Sequence, residues 1–242
     1  MSEPSVVARP KSRAVVYVLV GLGGIGVLGV VALVVLRLFF FVPYRMPAGS
    51  MLPTLAPGTH LWAKPSASPP TARGEIVVFR YPEHPNQSFV KRVAGLEGDS
   101  IEMRGGRLYI NGWEAPRCIV GPWAYREEID GSEHAGELVL EHVDGASYLL
   151  FEDRDALMVG DQGPYKVASG QYFVLGDNRN NSHDSRMWFG GTGGGVPFAN
   201  TIGRVRIDPN PKLPIGAEKL QAAFDDCIAK KPAQTSPPGA KP

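Results

Sequence analysis

The chain has 242 residues and a formal net charge of +1, with 25 basic and 24 acidic side chains. This balance disfavours a nucleic acid as partner, since binding a polyanion needs a basic surface. The chain has only two cysteines, so neither a zinc ribbon nor a disulfide-dense scaffold is available to it.

The first predicted element is a membrane anchor. Residues 1–13 are polar and basic, and residues 14–36 carry no charge. As a helix that apolar run is about 34 Å long, against a hydrocarbon core of about 30 Å. We therefore predict a transmembrane segment at 14–41, a cytoplasmic segment at 1–13, and the rest of the chain on the far side of the membrane.

A glycine pattern within this run, Gly21 to Gly26, matches the dinucleotide-binding fingerprint in letters only. No strand precedes it and no acidic residue follows at the required distance. The histidines show no H-E-x-x-H spacing, which disfavours a metallohydrolase. We therefore predict neither a cofactor nor a metal.

The loop Met46 to Leu55 presents one small nucleophile, Ser50, beside a glycine and between two prolines. Prolines and glycine prevent the loop from continuing as a helix or a central strand, and its apolar side chains favour packing against a surface. A serine in such a loop more often serves turn formation than catalysis. Ser50 alone therefore leaves both interpretations open.

Short runs rich in Val, Ile, Tyr and Phe, separated by turn residues, then predict a mainly β, antiparallel domain at 42–210. We interpret residues 113–166 as an inserted β subdomain. The predicted strands are Glu75 to Arg80, Ser88 to Val93, Ser100 to Met103, Arg107 to Gly112, Glu137 to Val143, Ser147 to Asp153, Gln171 to Leu175 and Thr201 to Ile207.

The tail, residues 211–242, is predicted to hold a short amphipathic helix around Leu220, Phe224 and Cys227, followed by disorder from residue 230 onward. Cys227 and Cys118 lie far apart in sequence, which favours two unlinked thiols. A bridge between domain and tail is the alternative in an oxidising compartment.

Strand alternation places Lys91 on the same face as Phe89 and Val93, with Val90 and Arg92 on the other. Desolvation among apolar neighbours lowers the pKa of a lysine, which is what a general base needs. The alternative is a lysine whose amine reaches water from a sheet edge.

The polar loop Gly176 to Arg186 is dense in groups that bond to backbone. A calcium loop is disfavoured because Arg179 stands where an acidic or amide ligand is needed. A plain solvated loop and a brace for an active-site lysine both remain.

Four stretches in order resemble the successive boxes of the type I signal peptidase family, behind an N-terminal anchor. They are Pro47 to Leu55, Arg73 to Phe79, Lys91 to Asp99 and Gly176 to Arg186. The resemblance covers roughly residues 44 to 207. It implies a membrane-bound Ser/Lys endopeptidase with a mainly β catalytic domain. Its partners would be the lipid bilayer and the signal peptides of exported preproteins, which it cuts after small-x-small motifs on the outer face of the bacterial cytoplasmic membrane.

The resemblance also implies residue roles. Ser50 would be the nucleophile, Lys91 the general base, and Ser182 the hydroxyl that orients Lys91. Structural roles in the loop would fall to Asp177, Arg179, Asp184 and Arg186, and a pocket for small side chains would be lined by Met46, Met51, Leu55, Phe89 and Val90.

One departure concerns Ala48, where many bacterial members have a serine whose hydroxyl helps to bind the oxyanion. Losing one such donor can cost ~10² to 10³ in rate. Two other functions remain open from the sequence: a Ser/Lys peptidase dedicated to one exported substrate, and a non-catalytic membrane-tethered β domain that binds signal segments.

Overall fold

The structure is a computed structural model that describes residues 17, 22–33, 42–46, 48–66, 68–127, 130–154 and 160–238. The chain divides into two compact units, Met1–Phe41 and Val42–Pro242.

In the N-terminal unit the described residues, 17 and 22–33, are helical, and we call 22–33 helix α1. The predicted cytoplasmic segment 1–13 and most of the predicted transmembrane segment 14–41 lie outside the described residues. Within the described part of the chain, no helix has both the length and the apolar character needed to cross a membrane.

The second unit is mainly β, as predicted, and all of its strand pairs are antiparallel. The strands are β1 Val42–Arg45, β2 His60–Pro65, β3 Ile76–Arg80, β4 Ser88–Gly95, β5 Ser100–Arg104, β6 Arg107–Ile110, β7 Trp113–Glu114, β8 Arg117–Arg126, β9 Glu133–Val143, β10 Ala146–Asp153, β11 Gln162–Lys166, β12 Gln171–Leu175, β13 Val196–Pro197 and β14 Thr201–Val205. Helix α2, Gln221–Ala229, follows in the tail.

The largest sheet has seven strands in the order β1-β2-β14-β3-β4-β12-β13. Strand β3 is central, and its run from Ile76 to Phe79 is buried on both faces. A continuous apolar run suits such a strand because neither face meets water. One core cluster around Met51 and Val78 covers one face, and another around Phe79 and Trp188 covers the other.

Two smaller sheets complete the unit, one of three strands (β10-β9-β8) and one of four (β11-β5-β6-β7). Residues 113–166, which the sequence suggested as one inserted subdomain, are shared between them. Strands β8 to β10 form the three-stranded sheet, whereas β7 pairs with β6 and β11 pairs with β5.

The tail packs on the three-stranded sheet. Phe224 and Cys227 of α2 join a core cluster with Leu138 and Phe151 of that sheet. The expectation of two unlinked thiols is wrong: Cys118 and Cys227 form a disulfide, with 5.7 Å between their Cα atoms. The packing of α2 against β8 and β9 brings together cysteines that lie 109 residues apart.

Part of the segment predicted as disordered also contacts the domain. The backbone oxygen of Thr235 accepts a hydrogen bond from the Asp144 amide at 2.6 Å, and its hydroxyl accepts one from Gly145. The Lys231 amine donates to the Gly145 carbonyl at 2.6 Å. The β9–β10 turn therefore anchors the tail as far as residue 235.

Candidate active site

Ser50 lies in a single 3₁₀ turn, Gly49–Met51, between β1 and β2. The turn is closed by a hydrogen bond from the Leu52 amide to the Gly49 carbonyl at 3.0 Å. Met51 is fully buried in the core cluster under the seven-stranded sheet. Burial of the neighbouring methionine therefore fixes the turn, and Ser50 stays half-buried at the surface.

Strand β4 brings Lys91 to the same point. Its Nζ lies 2.5 Å from Ser50 Oγ, and the side chain is only 4% exposed. The Phe89 ring, two residues back on the same strand, has its centroid 5.8 Å from that nitrogen. The amine therefore contacts the hydroxyl in surroundings that are largely closed to water.

Burial lowers the pKa of Lys91 from its ordinary 10.5 to about 8. The carboxylates of Asp184 and Asp177 act in the opposite direction, and Arg186 adds a smaller lowering. Within the described chain no carboxylate pairs with Lys91. This lowering of the Lys91 pKa corresponds to about 3 kcal/mol in favour of the neutral amine.

The loop after β12 holds the serine turn through hydrogen bonds to the backbone carbonyls of that turn. The Asn178 amide donates to the Ser50 carbonyl at 3.2 Å, and Asn178 Nδ2 donates to the Gly49 carbonyl at 3.1 Å. A side chain at Gly176 would place its Cβ 2.5 Å from the Ser50 carbonyl oxygen and against the Ser182 hydroxyl. Only glycine permits this approach. Sequence reasoning missed Asn178 because its partners, the Gly49 and Ser50 carbonyls and the Tyr125 hydroxyl, come from distant parts of the chain.

Asp184 and Arg186 form the buried pair expected in this loop. Arg186 Nε and a terminal nitrogen each lie 2.8 Å from a carboxylate oxygen of Asp184. The Gly176 amide also donates to Asp184, at 3.0 Å. Burial works against the charge of Asp184, but Arg186, the Gly176 amide and Lys91 together more than offset it, so the pKa of that carboxyl is lowered.

The other two predicted loop residues do not pair with each other. Asp177 receives two hydrogen bonds from Arg92 of β4, at 2.7 and 2.6 Å. Arg179 donates to Glu141 of β9 at 2.6 Å. Strand alternation had placed Arg92 opposite Lys91, and a buried arginine needs a carboxylate partner. The alternation along β4 could therefore have identified Arg92 as a structural residue in advance. No pattern in the sequence marks Glu141 as the partner of Arg179.

Ser182 is buried beside this turn, and its Oγ has no hydrogen-bond partner in the described part of the chain. The structure therefore places the hydroxyl against Gly176 without a hydrogen bond to Lys91.

A cavity of about 300 Å³ opens at the Ser50–Lys91 contact. Of the predicted pocket residues, Met46, Phe89 and Val90 line it. Met51 and Leu55 lie beneath it in the core cluster. The lining residues not predicted from sequence are Tyr44, Arg45, Ala48, Ser88, Asn181 and His183.

Among the described residues no group of three His, Cys, Asp or Glu side chains could hold a metal ion. The site's described groups are a hydroxyl, a desolvated amine and an apolar cavity. Together they can carry out attack by an alcohol whose proton passes to a neighbouring base.

Comparison with known proteins identifies the family. The model of the family described as "Signal peptidase, peptidase S26" matches residues 19–208. A signal peptidase I from Pseudomonas aeruginosa is 33% identical over 171 residues, which cover 64% of this chain and 57% of the relative.

A signal peptidase I S from Bacillus subtilis is 32% identical over 157 residues, which cover 64% of this chain and 71% of the relative. A crystal structure of a signal peptidase I from Enterococcus faecalis overlaps 57% of this chain and 99% of its own, at 26% identity and a TM-score of 0.32. The family match spans most of the chain, so this protein belongs to the signal peptidase family, peptidase S26.

Proposed function

We propose that this chain is a signal peptidase I, a membrane-bound serine endopeptidase that cuts signal peptides from exported preproteins after small-x-small motifs. One observation carries the proposal: a serine hydroxyl lies 2.5 Å from a lysine amine that is 4% exposed and pairs with no carboxylate in the described chain. Family membership supports the substrate class.

In the proposed reaction, Ser50 Oγ attacks the scissile carbonyl carbon while neutral Lys91 takes the hydroxyl proton. The tetrahedral intermediate collapses, the C–N bond breaks, and Lys91 returns the proton to the leaving amine. Water then attacks the acyl-serine ester with Lys91 as base again, which releases the carboxylic acid and restores Ser50. This is the Ser/Lys form of nucleophilic catalysis with an adjacent base.

Negative charge on the carbonyl oxygen needs hydrogen-bond donors. We assign the Ser50 amide to this role. Ala48 lines the cavity beside Ser50 but offers only a methyl group.

We assign positioning roles to the groups behind the cavity. The Asp184–Arg186 pair and the Asn178 hydrogen bonds hold the serine turn against the loop after β12. Ser182 is proposed to orient Lys91. Its buried hydroxyl has no other partner in the described chain, which leaves it available for that contact.

We further propose that residues 14–41 anchor the chain in the bacterial cytoplasmic membrane, with the N-terminus cytoplasmic and the catalytic unit outside. The uncharged run 14–36 and the basic residues before it support this topology.

The test is cleavage of a preprotein with an A-x-A site by the detergent-solubilised full chain. Ser50→Ala and Lys91→Ala should each abolish cleavage, while Lys166→Ala, an exposed lysine on β11, should leave it intact. Full activity in either of the first two variants would contradict the proposed mechanism.

A panel of general and dedicated substrates separates a general signal peptidase from a peptidase for one substrate. A serine-directed acylating probe that fails to label Ser50 would favour a non-catalytic binding domain.

A further inference from the structure

The cavity at Ser50 has one wall that the proposed mechanism does not use. His183, which lines it, sits edge-on to the ring of Tyr81, with 5.5 Å between centroids, and edge-on to Phe89, at 6.3 Å. Tyr81 and Phe89 are stacked on each other at 4.6 Å. The exposed imidazole is therefore held at the cavity by two packed rings.

Tyr81 fixes which ring nitrogen of His183 carries a proton. The Tyr81 hydroxyl donates its single proton to the Glu83 carboxylate. The same oxygen lies 2.8 Å from His183 Nε2. Since the phenol has no second proton to give, His183 Nε2 must be the donor in that contact.

The protonation states of the two partners agree with this assignment. Burial, together with the hydrogen bond to Glu83, raises the pKa of Tyr81 to about 12, so the phenol keeps its proton. The hydrogen bond from Tyr81 lowers the pKa of Glu83, so that side chain is an ionised acceptor.

With the proton on Nε2, neutral His183 carries a lone pair on Nδ1. That nitrogen has no hydrogen-bond partner in the described part of the chain. It is an acceptor on the wall of a small cavity that is also lined by the apolar side chains of Phe89 and Val90 and by the polar side chains of Ser88 and Asn181.

We propose that His183 is a specificity-determining residue of this site, and that its Nδ1 accepts a hydrogen bond from a serine or threonine side chain of the bound substrate. The proposal rests on the proposed peptidase function. A side chain on a cavity wall distinguishes substrate side chains, whereas extended substrates are held by their backbone. A volume of about 300 Å³ suits small residues, and among these serine and threonine carry a donor.

The test compares wild type with His183→Phe on peptide substrates that differ only by Ser/Ala or Thr/Val at each position around the cut. Phenylalanine keeps a ring against Tyr81 but has no lone pair. The assay is run above about pH 8, where imidazole is in general neutral. At one substrate position the preference for the hydroxyl should fall about 3- to 10-fold, the value of one neutral hydrogen bond. The change should lie in KM, with kcat within about 2-fold.

Tyr81→Phe is a second variant, which removes the oxygen that fixes the imidazole proton. The same substrate position should lose part of its preference. His84→Phe is the matched control, because His84 packs on Tyr81 at 5.6 Å but does not line the cavity. Its substrate preference should equal that of wild type.

The proposal is overturned if His183→Phe and Tyr81→Phe keep the wild-type preference at every position, or if His84→Phe changes it as much. These results are distinct from failure of the proposed function, which would appear as undiminished cleavage by Ser50→Ala.

Discussion

Strand β4 buries two basic side chains, Lys91 and Arg92, on its two opposite faces, and the two differ in their partners and in the direction of their pKa change. Lys91 is 4% exposed and Arg92 is 3% exposed. Lys91 meets a hydroxyl and an aromatic ring, and burial lowers its pKa to about 8. On the other face, burial also opposes the charge of Arg92. The Asp177 carboxylate, which accepts two hydrogen bonds from Arg92, more than compensates together with Tyr148, so the pKa of Arg92 is raised.

The difference teaches that burial alone does not decide the charge of a basic side chain. Arg92 has a bidentate carboxylate, a carbonyl from Gly74 at 2.7 Å, and the Tyr148 ring 4.0 Å from its Cζ. Lys91 has no carboxylate partner in the described chain. One face of the strand therefore keeps a structural cation, while the other keeps an amine that can accept a proton near neutral pH.

The largest expected effect comes from removing the neutral amine. Lys91→Met should lower kcat/KM by at least ~10³-fold, because the proposed base is lost while the pocket keeps its apolar volume. The same variant should be more stable than wild type by up to about 3 kcal/mol at pH 7.

The size of that stability gain depends on pH. The folded pKa of Lys91 is about 8 and its ordinary value is 10.5, so the unfolded chain binds more protons between these values. Wild-type stability therefore rises with pH through this window, and the advantage of Lys91→Met should vanish above it. Urea unfolding at pH 7 and pH 10 measures this. Equal stability differences at both pH values would contradict the assignment.

The matched change on the opposite face should act in the opposite direction. Arg92→Met leaves the Asp177 carboxylate buried without its partner, which should destabilise the fold by about 3–5 kcal/mol. Urea denaturation of the two methionine variants side by side measures the contrast. A stable Arg92→Met protein would mean that Asp177 has another partner in solution.

The disulfide lies behind the Arg92 face, since it ties α2 to the sheet that supplies Tyr148 and Glu141. The double variant Cys118→Ser, Cys227→Ser should lose about 2–5 kcal/mol of stability. The pH at which kcat/KM reaches half its maximum should not move, because neither cysteine neighbours Lys91. A shifted midpoint would show that the tail influences the face of β4 that holds Lys91.

The smallest expected effect concerns the oxyanion. Ala48→Ser adds a hydroxyl at the cavity beside Ser50, so kcat should be equal to or higher than that of wild type, by no more than the ~10² to 10³ that such a donor can supply. Single-turnover kinetics on one peptide measures it. A large loss would show that the oxyanion is bound with a different geometry.

The sequence predicted the mainly β fold, because short alternating runs between turn residues are local signals. The pairing of Ser50 with Lys91 came from the resemblance to the type I signal peptidase family, since the Pro/Gly loop and strand alternation alone left an ordinary turn serine and a solvent-reaching lysine open. Partners across sheets could not be read in this way. Asp177 was placed in its loop, but its partner Arg92 depends on how β4 meets that loop. The disulfide could not be predicted either, because Cys118 and Cys227 come together only when α2 packs on β8.

His183 was missed for a related reason. In the sequence it is one polar residue in a polar loop. Its place in the cavity depends on Tyr81 and Phe89, which come from a different part of the chain.

The central claim is that the Lys91 amine, which contacts the Ser50 hydroxyl, loses its proton near pH 8, well below the pH at which an ordinary lysine does. The most direct measurement is the pH titration of lysine side-chain NMR signals in the full chain, with the Lys91 signal assigned by its absence in Lys91→Met. We expect one lysine to titrate at about pH 8, in parallel with the rise of kcat/KM. A Lys91 signal that titrates with the other lysines, near the ordinary value of ~10.4, would contradict the account.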